Sequence, residues 1–228
     1  MRILFLVLDG GSNPEYNKMR DIWLKYMQIV NAEVVFLRAS PLVTECIYDD
    51  ATKTLWTPGE ESVMPGILHK THEAIKYFIN KCEIFDYIIR TNLSSLFDYK
   101  VMVQWLHQNP LDYGGKLENA FDEWEFASGA GIYLSRKGCQ IFIEHFDEMA
   151  QEYDLLDDVA IGKVMQKHVP MTYVPRITFS YSEDPEILDL LTNDYRDIFH
   201  YRCHSDDQHL KTVEYMELIY KKIVYESA

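Results

Sequence analysis

The sequence predicts an α/β protein with a mainly parallel central sheet flanked by helices and a further helix at its C-terminal end. Residues 2–9, RILFLVLD, form an apolar run that is typical of a central strand covered on both faces. A helical pattern over residues 14–30 and a second apolar strand over residues 32–39 complete a β-α-β opening. This opening indicates a Rossmann-like sheet, whose ligands bind at the carboxyl ends of the strands, here near Asp9 and Arg38.

The other elements of the first half continue this alternation. KTLWTP, residues 53–58, predicts a short edge strand after a loop that contains Asp49, and residues 65–81 predict a helix that begins at a proline. FDYIIRTN, residues 85–92, is expected to be the third parallel strand, and residues 97–107 predict a helix that stops before Asn-Pro. The polar end of the third strand is therefore a second place where a ligand site is expected.

The second half begins with a small-residue segment, FASGAG, which is followed by a strand. Ser135 is expected to cap a helix over residues 136–150, and DDVAIG opens another helix. MTYVPRI, residues 171–177, predicts a strand, and an acidic loop around Glu183 comes after it. Residues 206–225 predict an amphipathic helix.

Chain length and composition predict one large core. With 228 residues, of which 47% are hydrophobic, the chain can bury the core of a single domain. We expect that domain to span residues 1–228, with a nucleotide-binding half over residues 1–110 and an acceptor-binding and catalytic half over residues 111–228. No internal repeat and no Gly- or Ser-rich linker divides the sequence.

The charge of the chain excludes some classes of partner. The sequence has 22 Lys and Arg against 36 Asp and Glu, a formal charge of -14, so nucleic acid is a poor partner without a basic patch, and none is visible. The apolar start is too short to span a bilayer and lacks a small-residue cleavage site, and no other segment reaches the length of a membrane helix. We therefore expect a cytoplasmic protein with reduced cysteines.

Two adjacent carboxylates, Asp157 and Asp158, begin the DDVAIG helix. Carboxylates in a first turn complement the helix dipole, so one can serve as a cap while its neighbour serves as a general base. From the residues alone both uses remain open. Gly10 and Gly11 lack the later glycines of the dinucleotide fingerprint, which argues against a dehydrogenase, and no GxxxxGK[ST] phosphate loop is present.

Four segments follow one another in the order of a known family: EESVMPGILHKTHEAI, FDYIIRTNLSSLFD, EFASGAGIYLS and DDVAIG. Together, over roughly residues 60–162, they resemble the β-1,3-galactosyltransferase and fringe-like glycosyltransferases. The resemblance implies the GT-A fold, a nucleotide-diphosphate sugar donor such as a UDP-sugar, and inverting transfer of a hexose or pentose. The implied acceptor is a hydroxyl of a glycan or glycoprotein. Small soluble enzymes of this type occur in large DNA viruses and in bacteria.

The resemblance also implies roles for individual residues. Asp158 stands at the position of the catalytic base, and Asp157 stands at the acidic position before it. The implied donor-binding residues are Lys70, Arg90, Thr91, Asn92 and Ser94, and the implied acceptor-binding residues are Ser128, Gly129 and Ala130. Asp9 and Gly10 follow the first strand, where a nucleotide base or ribose would bind, and Trp124, just before the small-residue segment, could stack on a sugar of the acceptor.

The end of the third strand departs from the family pattern. Residues 91–94, Thr-Asn-Leu-Ser, stand where the family carries its metal-binding acidic triplet, and neutral oxygens hold hard divalent cations weakly. In one alternative, the donor diphosphate holds most of a Mn²⁺ or Mg²⁺ ion, with Asn92 and His200 as candidate ligands. In the other, no metal takes part, and Arg90 or Lys70 neutralises the leaving group.

Each of these residues also has an ordinary structural interpretation. Arg90 would form a surface ion pair, Lys70 would lie on a solvated helix face, and Asn92 would lie in a turn that ends the strand. Trp124 would lie in the core, and the small residues would pack between strands. A protein with these features would keep the fold as a catalytically inactive nucleotide-sugar or glycan-binding protein. A nucleotidyltransferase is a third alternative. The absence of a Gly-rich, Lys-containing loop after the first strand argues against it.

Overall fold

The computed structural model describes residues 1–11, 13–81, 85–120, 124–152, 154–180, 198–204 and 209–225. Two compact units alternate along the chain. The first consists of Met1–Gly10, Ala32–Asn92 and Leu111–Val174. The second consists of Gly11–Asn31, Leu93–Pro110 and Pro175–Ala228. The division into functional halves at residue 110 stays a prediction.

The strands and helices follow the predicted order closely. The elements up to the middle of the chain are β1 (Ile3–Leu8), α1 (Pro14–Val30), β2 (Glu33–Ser40), β3 (Ile47–Asp49), β4 (Thr54–Pro58), α2 (Gly66–Lys81), β5 (Tyr87–Asn92), β6 (Ser95–Phe97) and α3 (Tyr99–Gln108). Those that follow are β7 (Tyr113–Gly115), β8 (Leu117–Ala120), β9 (Trp124–Ala127), β10 (Gly131–Ser135), α4 (Arg136–Glu144), α5 (Phe146–Ala150), α6 (Asp157–Met165), β11 (Met171–Tyr173), β12 (Arg176–Ser180), β13 (His200–His204) and α7 (His209–Tyr225).

An eight-stranded mixed sheet, in the order β11-β7-β10-β5-β1-β2-β4-β3, forms the centre of the first unit. β1 is parallel to both β2 and β5, and β2 is parallel to β4, as the β-α-β opening predicts. β10 is antiparallel to β5 and to β7. Because Leu8 of β1 lies beside Asn92 of β5, the carboxyl ends of these two strands are level, while β2 continues past Leu37, the neighbour of Leu8, to Ser40.

The core of the first unit lies between this sheet and its helices. Leu4, Phe5, Leu6 and Val7 of β1 are fully buried, which explains why this strand is apolar on both faces. Leu4 and Leu6 belong to an apolar cluster to which the helices contribute buried side chains, namely Leu68, Ile75 and Phe78 of α2, Phe142 of α4 and Ile161 of α6. The predicted α/β class with a large sheet flanked by helices is therefore confirmed.

Two predictions about the first half were wrong in detail. KTLWTP is not an edge strand, because β3, which contains Asp49, pairs antiparallel with the outer side of β4. The helix expected from Phe97 begins at Tyr99, because Phe97 belongs to β6 and Asp98 accepts a 3.1 Å hydrogen bond from the Val101 amide as the helix cap. β6 pairs with β13, far along the chain, which local patterning does not reveal, and β3 is only three residues long, too short to show an alternating pattern.

Two elements of the second half are divided. The helix expected over residues 136–150 breaks at His145, whose φ of -106° and ψ of 19° are not helical, so α4 and α5 are separate. The strand expected over residues 171–177 becomes β11 and β12, which belong to different sheets. Pro175 lies between them and has no N–H for a strand ladder.

The second unit has its own small sheet and helices. Its strands lie in the order β12-β13-β6, and α1 buries the side chains predicted for it, namely Met19, Ile22, Trp23, Tyr26 and Met27. The indole of Trp23 donates a 2.9 Å hydrogen bond to the Leu93 carbonyl. α7 buries Val213, Met216, Ile219 and Ile223. The acidic loop predicted around Glu183 lies outside the described residues.

None of the described helices combines the length and the apolar character that crossing a membrane would require. Cys46, Cys139 and Cys203 are free thiols, and the latter two are buried. The three described cysteines therefore agree with the expectation of reduced thiols.

The cap predicted at Ser135 is present. Its hydroxyl accepts a 3.1 Å hydrogen bond from the Gly138 amide in the first turn of α4. We expect Ser135→Ala to lower the free energy of unfolding by about 1 kcal/mol, because a helix amide loses its acceptor. Ser135→Thr keeps the acceptor and is the control. Urea denaturation measures both, and equal losses in the two variants would contradict the cap.

Candidate active site

The candidate site lies in the first unit, at the carboxyl ends of β1, β2 and β5. Asp9 follows β1 and is fully buried, and Arg38 of β2 donates a 3.0 Å hydrogen bond from Nε to its Oδ2. Gly10 comes next, and a Cβ at this position would lie 3.1 Å from Glu61 Oε1. The backbone after β1 therefore passes close to a carboxylate that sequence reasoning did not single out.

Glu61, in the loop after β4, contacts both α2 and β2. Its Oε1 accepts a hydrogen bond from Lys70 Nζ, and its Oε2 accepts a 2.8 Å hydrogen bond from the Ala39 amide. Lys70 is buried rather than solvated, and burial lowers its pKa while the Glu61 carboxylate opposes that shift. Glu61 belongs to the acidic start of the EESVMPG segment, and this acidic pair is the sequence feature that could have identified it as a site residue.

Arg90 and Asp157 form a buried ion pair. Only 2% of the Arg90 side chain is exposed, and its Nη2 donates to Asp157 Oδ2 while its Nη1 donates to the Gly129 carbonyl. Burial raises the pKa of Asp157, Arg90 opposes this shift, and repulsion from Asp158 adds to it. The interpretation of Arg90 as a surface pair is therefore wrong.

Asp157 does not serve as the cap of α6. The helix follows Leu156, which makes no side-chain capping hydrogen bond, and Asp157 is already its first residue. Its carboxylate still lies at the positive end of the helix dipole, but its partner is the guanidinium of Arg90. The contact explains why the first of the two adjacent carboxylates is buried.

Asp158 differs from its neighbour because it is partly exposed. Its Oδ2 accepts a 2.8 Å hydrogen bond from the Gly129 amide, and its Oδ1 accepts one of 3.0 Å from the Val159 amide. A Cβ on residue 129 would lie 3.0 Å from Asp158 Oδ2 and would collide with Arg90 Nη1. Glycine is therefore required where the two charged side chains approach the chain.

Hydrogen bonds to the backbone of the residues next to Gly129 fix the local chain. Thr91, which is fully buried, donates a 2.6 Å hydrogen bond from Oγ1 to the Ala130 carbonyl. The Ser128 amide donates to the Lys116 carbonyl and the Ser128 carbonyl accepts from the Gly131 amide, each at 2.9 Å. These contacts fix the turn that precedes β10.

Trp124 lies at the start of β9, next to α6. The Nζ atom of Lys163 is 4.7 Å from the centre of its ring, which is the geometry of a cation–π contact. The ring is partly exposed, so it is not a core aromatic. Stacking of a sugar on Trp124 stays a prediction, with Lys163 as a neighbour of that ring.

Ser94 and His200 belong to the second unit. The Ser94 hydroxyl accepts a hydrogen bond from Arg202 Nη1. His200 is 1% exposed, and its ring stacks on Phe97 with the ring centres 4.3 Å apart. Both side chains thus have structural contacts in the small sheet, and their predicted ligand roles stay predictions.

The described residues at the strand ends do not form a ready site for a divalent cation. Asp9, Glu61 and Asp157 each accept a hydrogen bond from a basic side chain. Thr91 and Asn92 offer neutral oxygens, of which the Thr91 hydroxyl is already bound to backbone. This donor set suits an anion that exchanges with a carboxylate better than a resident Mn²⁺ or Mg²⁺ ion.

Comparison with known proteins identifies the fold. No protein-family model and no curated protein matches the sequence. The chain is similar in structure to a glycosyltransferase involved in the glycosylation of the major capsid of PBCV-1, with a TM-score of 0.60 and 10% identity over 96% of this chain and 100% of that one.

Two further solved structures share the fold. One is 4-diphosphocytidyl-2C-methyl-D-erythritol synthase, with a TM-score of 0.50 and 9% identity over 96% of this chain and 99% of that one. The other is the apo-form glycosyltransferase GlyE of Streptococcus pneumoniae TIGR4, with a TM-score of 0.50 and 9% identity over 99% of this chain and 62% of that one. These likenesses confirm the GT-A type of α/β fold; the fringe-like family stays a prediction.

The Arg90–Asp157 pair makes a prediction about stability and pH. In Arg90→Met the Asp157 carboxylate is buried without its cation, and we expect the free energy of unfolding to fall by about 3–5 kcal/mol at pH 7. Arg90 opposes the rise that burial causes in the pKa of Asp157, so its loss raises this pKa further, and the folded variant keeps a proton that the unfolded chain releases above about pH 4. The deficit relative to wild type should therefore grow as pH rises from 4 to 7.

Urea denaturation at several pH values measures this deficit. The control compares Asp157→Asn with Arg90→Met combined with Asp157→Asn: neither chain has the Asp157 carboxyl, so the difference between their free energies of unfolding should not change over the same range. A deficit of Arg90→Met that stays constant between pH 4 and pH 7 would show that the ion pair is not its cause.

Proposed function

We propose that this protein is an inverting glycosyltransferase that moves a sugar from a nucleotide-diphosphate donor to a hydroxyl of a glycan or glycoprotein. One observation carries the proposal. Gly129 binds a cation and a carboxylate at once, since its carbonyl accepts from Arg90 and its amide donates to Asp158. A base for the acceptor and a cation for the leaving group are both needed in such a transfer, and here one glycine separates them.

The contacts favour Asp158 over Asp157 as the base. Asp157 is buried, and its Oδ2 is committed to the guanidinium of Arg90. Asp158 is partly exposed, and the hydrogen bonds it accepts come from the backbone amides of Gly129 and Val159. These amides fix its orientation and leave a carboxylate that can accept a proton from an acceptor hydroxyl.

In the proposed reaction the acceptor oxygen forms a bond to the anomeric carbon of the donor sugar. The bond between that carbon and the diphosphate oxygen breaks on the opposite face, and the electron pair leaves with the diphosphate. The acceptor proton passes to Asp158. Negative charge develops on the departing diphosphate, and we assign its stabilisation to Arg90 and Lys70.

The donor would bind by exchange of anions at Lys70. Glu61 accepts the hydrogen bond of the buried Lys70 ammonium, but the Glu61 side chain is 32% exposed and lies in the loop before α2. A diphosphate can take the place of this carboxylate at the ammonium. We place the nucleoside beside Gly10 and Arg38, at the ends of β1 and β2, with Asp9 orienting the Arg38 guanidinium.

The acceptor would bind beside the turn at residues 128–130 and the ring of Trp124. A Mn²⁺ or Mg²⁺ ion, if the reaction uses one, would be held through the donor phosphates rather than by Asn92, because the strand end offers only neutral oxygens. The family resemblance supports a UDP-sugar as donor, and binding of a panel of nucleotides tests it.

A second candidate function is a nucleotide-sugar or glycan-binding protein without catalysis. The neutral Thr91 and Asn92 at the strand end favour it, as does the pairing of Asp9, Glu61 and Asp157 with basic side chains. Such a protein would bind nucleotide sugars and release no nucleoside diphosphate with any acceptor. The assay described next separates the two functions.

We expect Asp158→Asn to reduce the release of nucleoside diphosphate by about 10²- to 10⁴-fold, because the amide cannot take the acceptor proton. The amide oxygen can still accept from Gly129, so the affinity for the donor should stay nearly unchanged. The measurement uses a panel of nucleotide sugars with and without glycan acceptors. Asp154→Asn, an exposed carboxylate shortly before α6, is the control. Equal turnover in Asp158→Asn and wild type would exclude Asp158 as the base.

We expect Lys70→Met to weaken the binding of nucleoside diphosphates about tenfold or more, because a charge-assisted hydrogen bond to phosphate is lost. Isothermal titration calorimetry measures the affinity. Lys76→Met on the exposed face of the same helix is the matched control, and Lys70→Arg keeps the charge. If Lys70→Met bound as tightly as the control, the diphosphate would not lie at Lys70.

A further inference from the structure

Three side chains that the proposed function does not use lie together in the first unit: His145, Glu148 and His168. His145 Nδ1 is 2.7 Å from Glu148 Oε1. The rings of His145 and His168 stack with their centres 3.6 Å apart and their planes 16° from parallel. One potential ligand atom from each of the three side chains lies within 4.8 Å of the other two.

The backbone at all three positions is well fixed. His145 separates α4 from α5, and its amide donates a 3.0 Å hydrogen bond to the Ile141 carbonyl. Glu148 lies three positions further along, in α5, and its carboxylate reaches the His145 ring. The His168 amide donates a 3.0 Å hydrogen bond to the Met165 carbonyl in the turn after α6. The fully buried Met149 and Met165 anchor α5 and α6 nearby.

Two imidazoles and a carboxylate are a ligand set for borderline divalent metals. Zn²⁺ binds imidazole nitrogen and carboxylate oxygen, commonly with four ligands, so three protein ligands leave one position for water. Mg²⁺ and Ca²⁺ prefer a shell of oxygens, which two histidines do not supply. Two stacked imidazolium ions would repel each other, whereas two neutral rings can share one cation.

A lysine competes for the same carboxylate. Lys167 Nζ is 3.1 Å from Glu148 Oε2, while Oε1 of the same carboxylate faces His145. The two oxygens are thus divided between the ammonium and the histidine pair. The Lys167 side chain is 53% exposed, so it can move away, but its charge opposes the approach of a cation.

We propose that His145, Glu148 and His168 bind one divalent metal ion of the zinc class. Such an ion would join the start of α5 to the turn that ends α6, the helix whose first residues are Asp157 and Asp158. A ligand that binds the folded chain stabilises it by mass action, so the ion would act as a structural clamp for this helix pair. The proposal does not depend on the proposed glycosyl transfer, since no nucleotide or sugar takes part.

The test uses the full chain without a polyhistidine tag and without nucleotide. Calorimetric titration with Zn²⁺ should show one ion per chain, and Co²⁺ at the same site should give the visible absorption of a site with nitrogen ligands. We expect His145→Asn and His168→Asn each to weaken Zn²⁺ binding by about tenfold or more. His107→Asn, an exposed histidine of α3 outside the cluster, is the matched control and should bind as wild type does.

Lys167→Gln tests the same site in the opposite direction. Removal of the competing ammonium should strengthen Zn²⁺ binding by roughly two- to fivefold, and the added thermal stability in Zn²⁺ should increase with it. Absence of Zn²⁺ binding in wild type would overturn the proposal, and so would unchanged affinity in both histidine variants. Displacement of Zn²⁺ by an equal concentration of Mg²⁺ would overturn the assignment to the zinc class.

Discussion

The guanidinium of Arg90 is buried beside the central sheet, where groups in direct contact must compensate its charge. An uncompensated buried charge costs several kcal/mol, and Arg90 meets Asp157 and the Gly129 carbonyl there. These two partners come from α6 and from the turn before β10, so one cation ties both segments to the end of β5. Asp158 follows Asp157 in the chain and is therefore held beside Gly129, where it accepts hydrogen bonds from the backbone amides of Gly129 and Val159. The different exposure of two adjacent carboxylates thus results from a single ion pair.

The same arrangement recurs at the other strand ends, where Arg38 binds Asp9 and Lys70 binds Glu61. Cations that are already paired cost less to bury than isolated ones, and they stay in place in the absence of a ligand. In the proposed donor binding, a diphosphate would take the place of the partly exposed Glu61 carboxylate at Lys70. In a chain with a formal charge of -14, this pairing brings Arg38, Lys70 and Arg90 to the strand ends.

The sequence predicts those parts of the fold that local patterns determine. β1, β2 and β5 are long apolar runs, and α1 and the cap of α4 have clear starting residues, so their bounds agree closely. β6 depends on β13, a partner far along the chain, while β3 is too short to show a local pattern, and the break at His145 falls inside a segment whose pattern is helical throughout. At the site, the family resemblance singled out Lys70, Arg90 and Gly129 by position, but not what they contact. Arg90 and Asp157 are 67 residues apart, and no local pattern reveals such a pair. Glu61 was missed for the same reason.

The two compact units alternate along the chain, so neither unit can be inherited as one continuous stretch of sequence. Each unit is assembled from separate stretches of sequence, and the first of them resumes at Ala32 and again at Leu111. No single cut yields either unit as a continuous polypeptide: a chain that ends at Val174 keeps every stretch of the first unit and only part of the second. Recombination between genes could exchange one unit only through several simultaneous crossovers. The two units are therefore expected to pass from ancestor to descendant together, changing by substitution rather than by replacement.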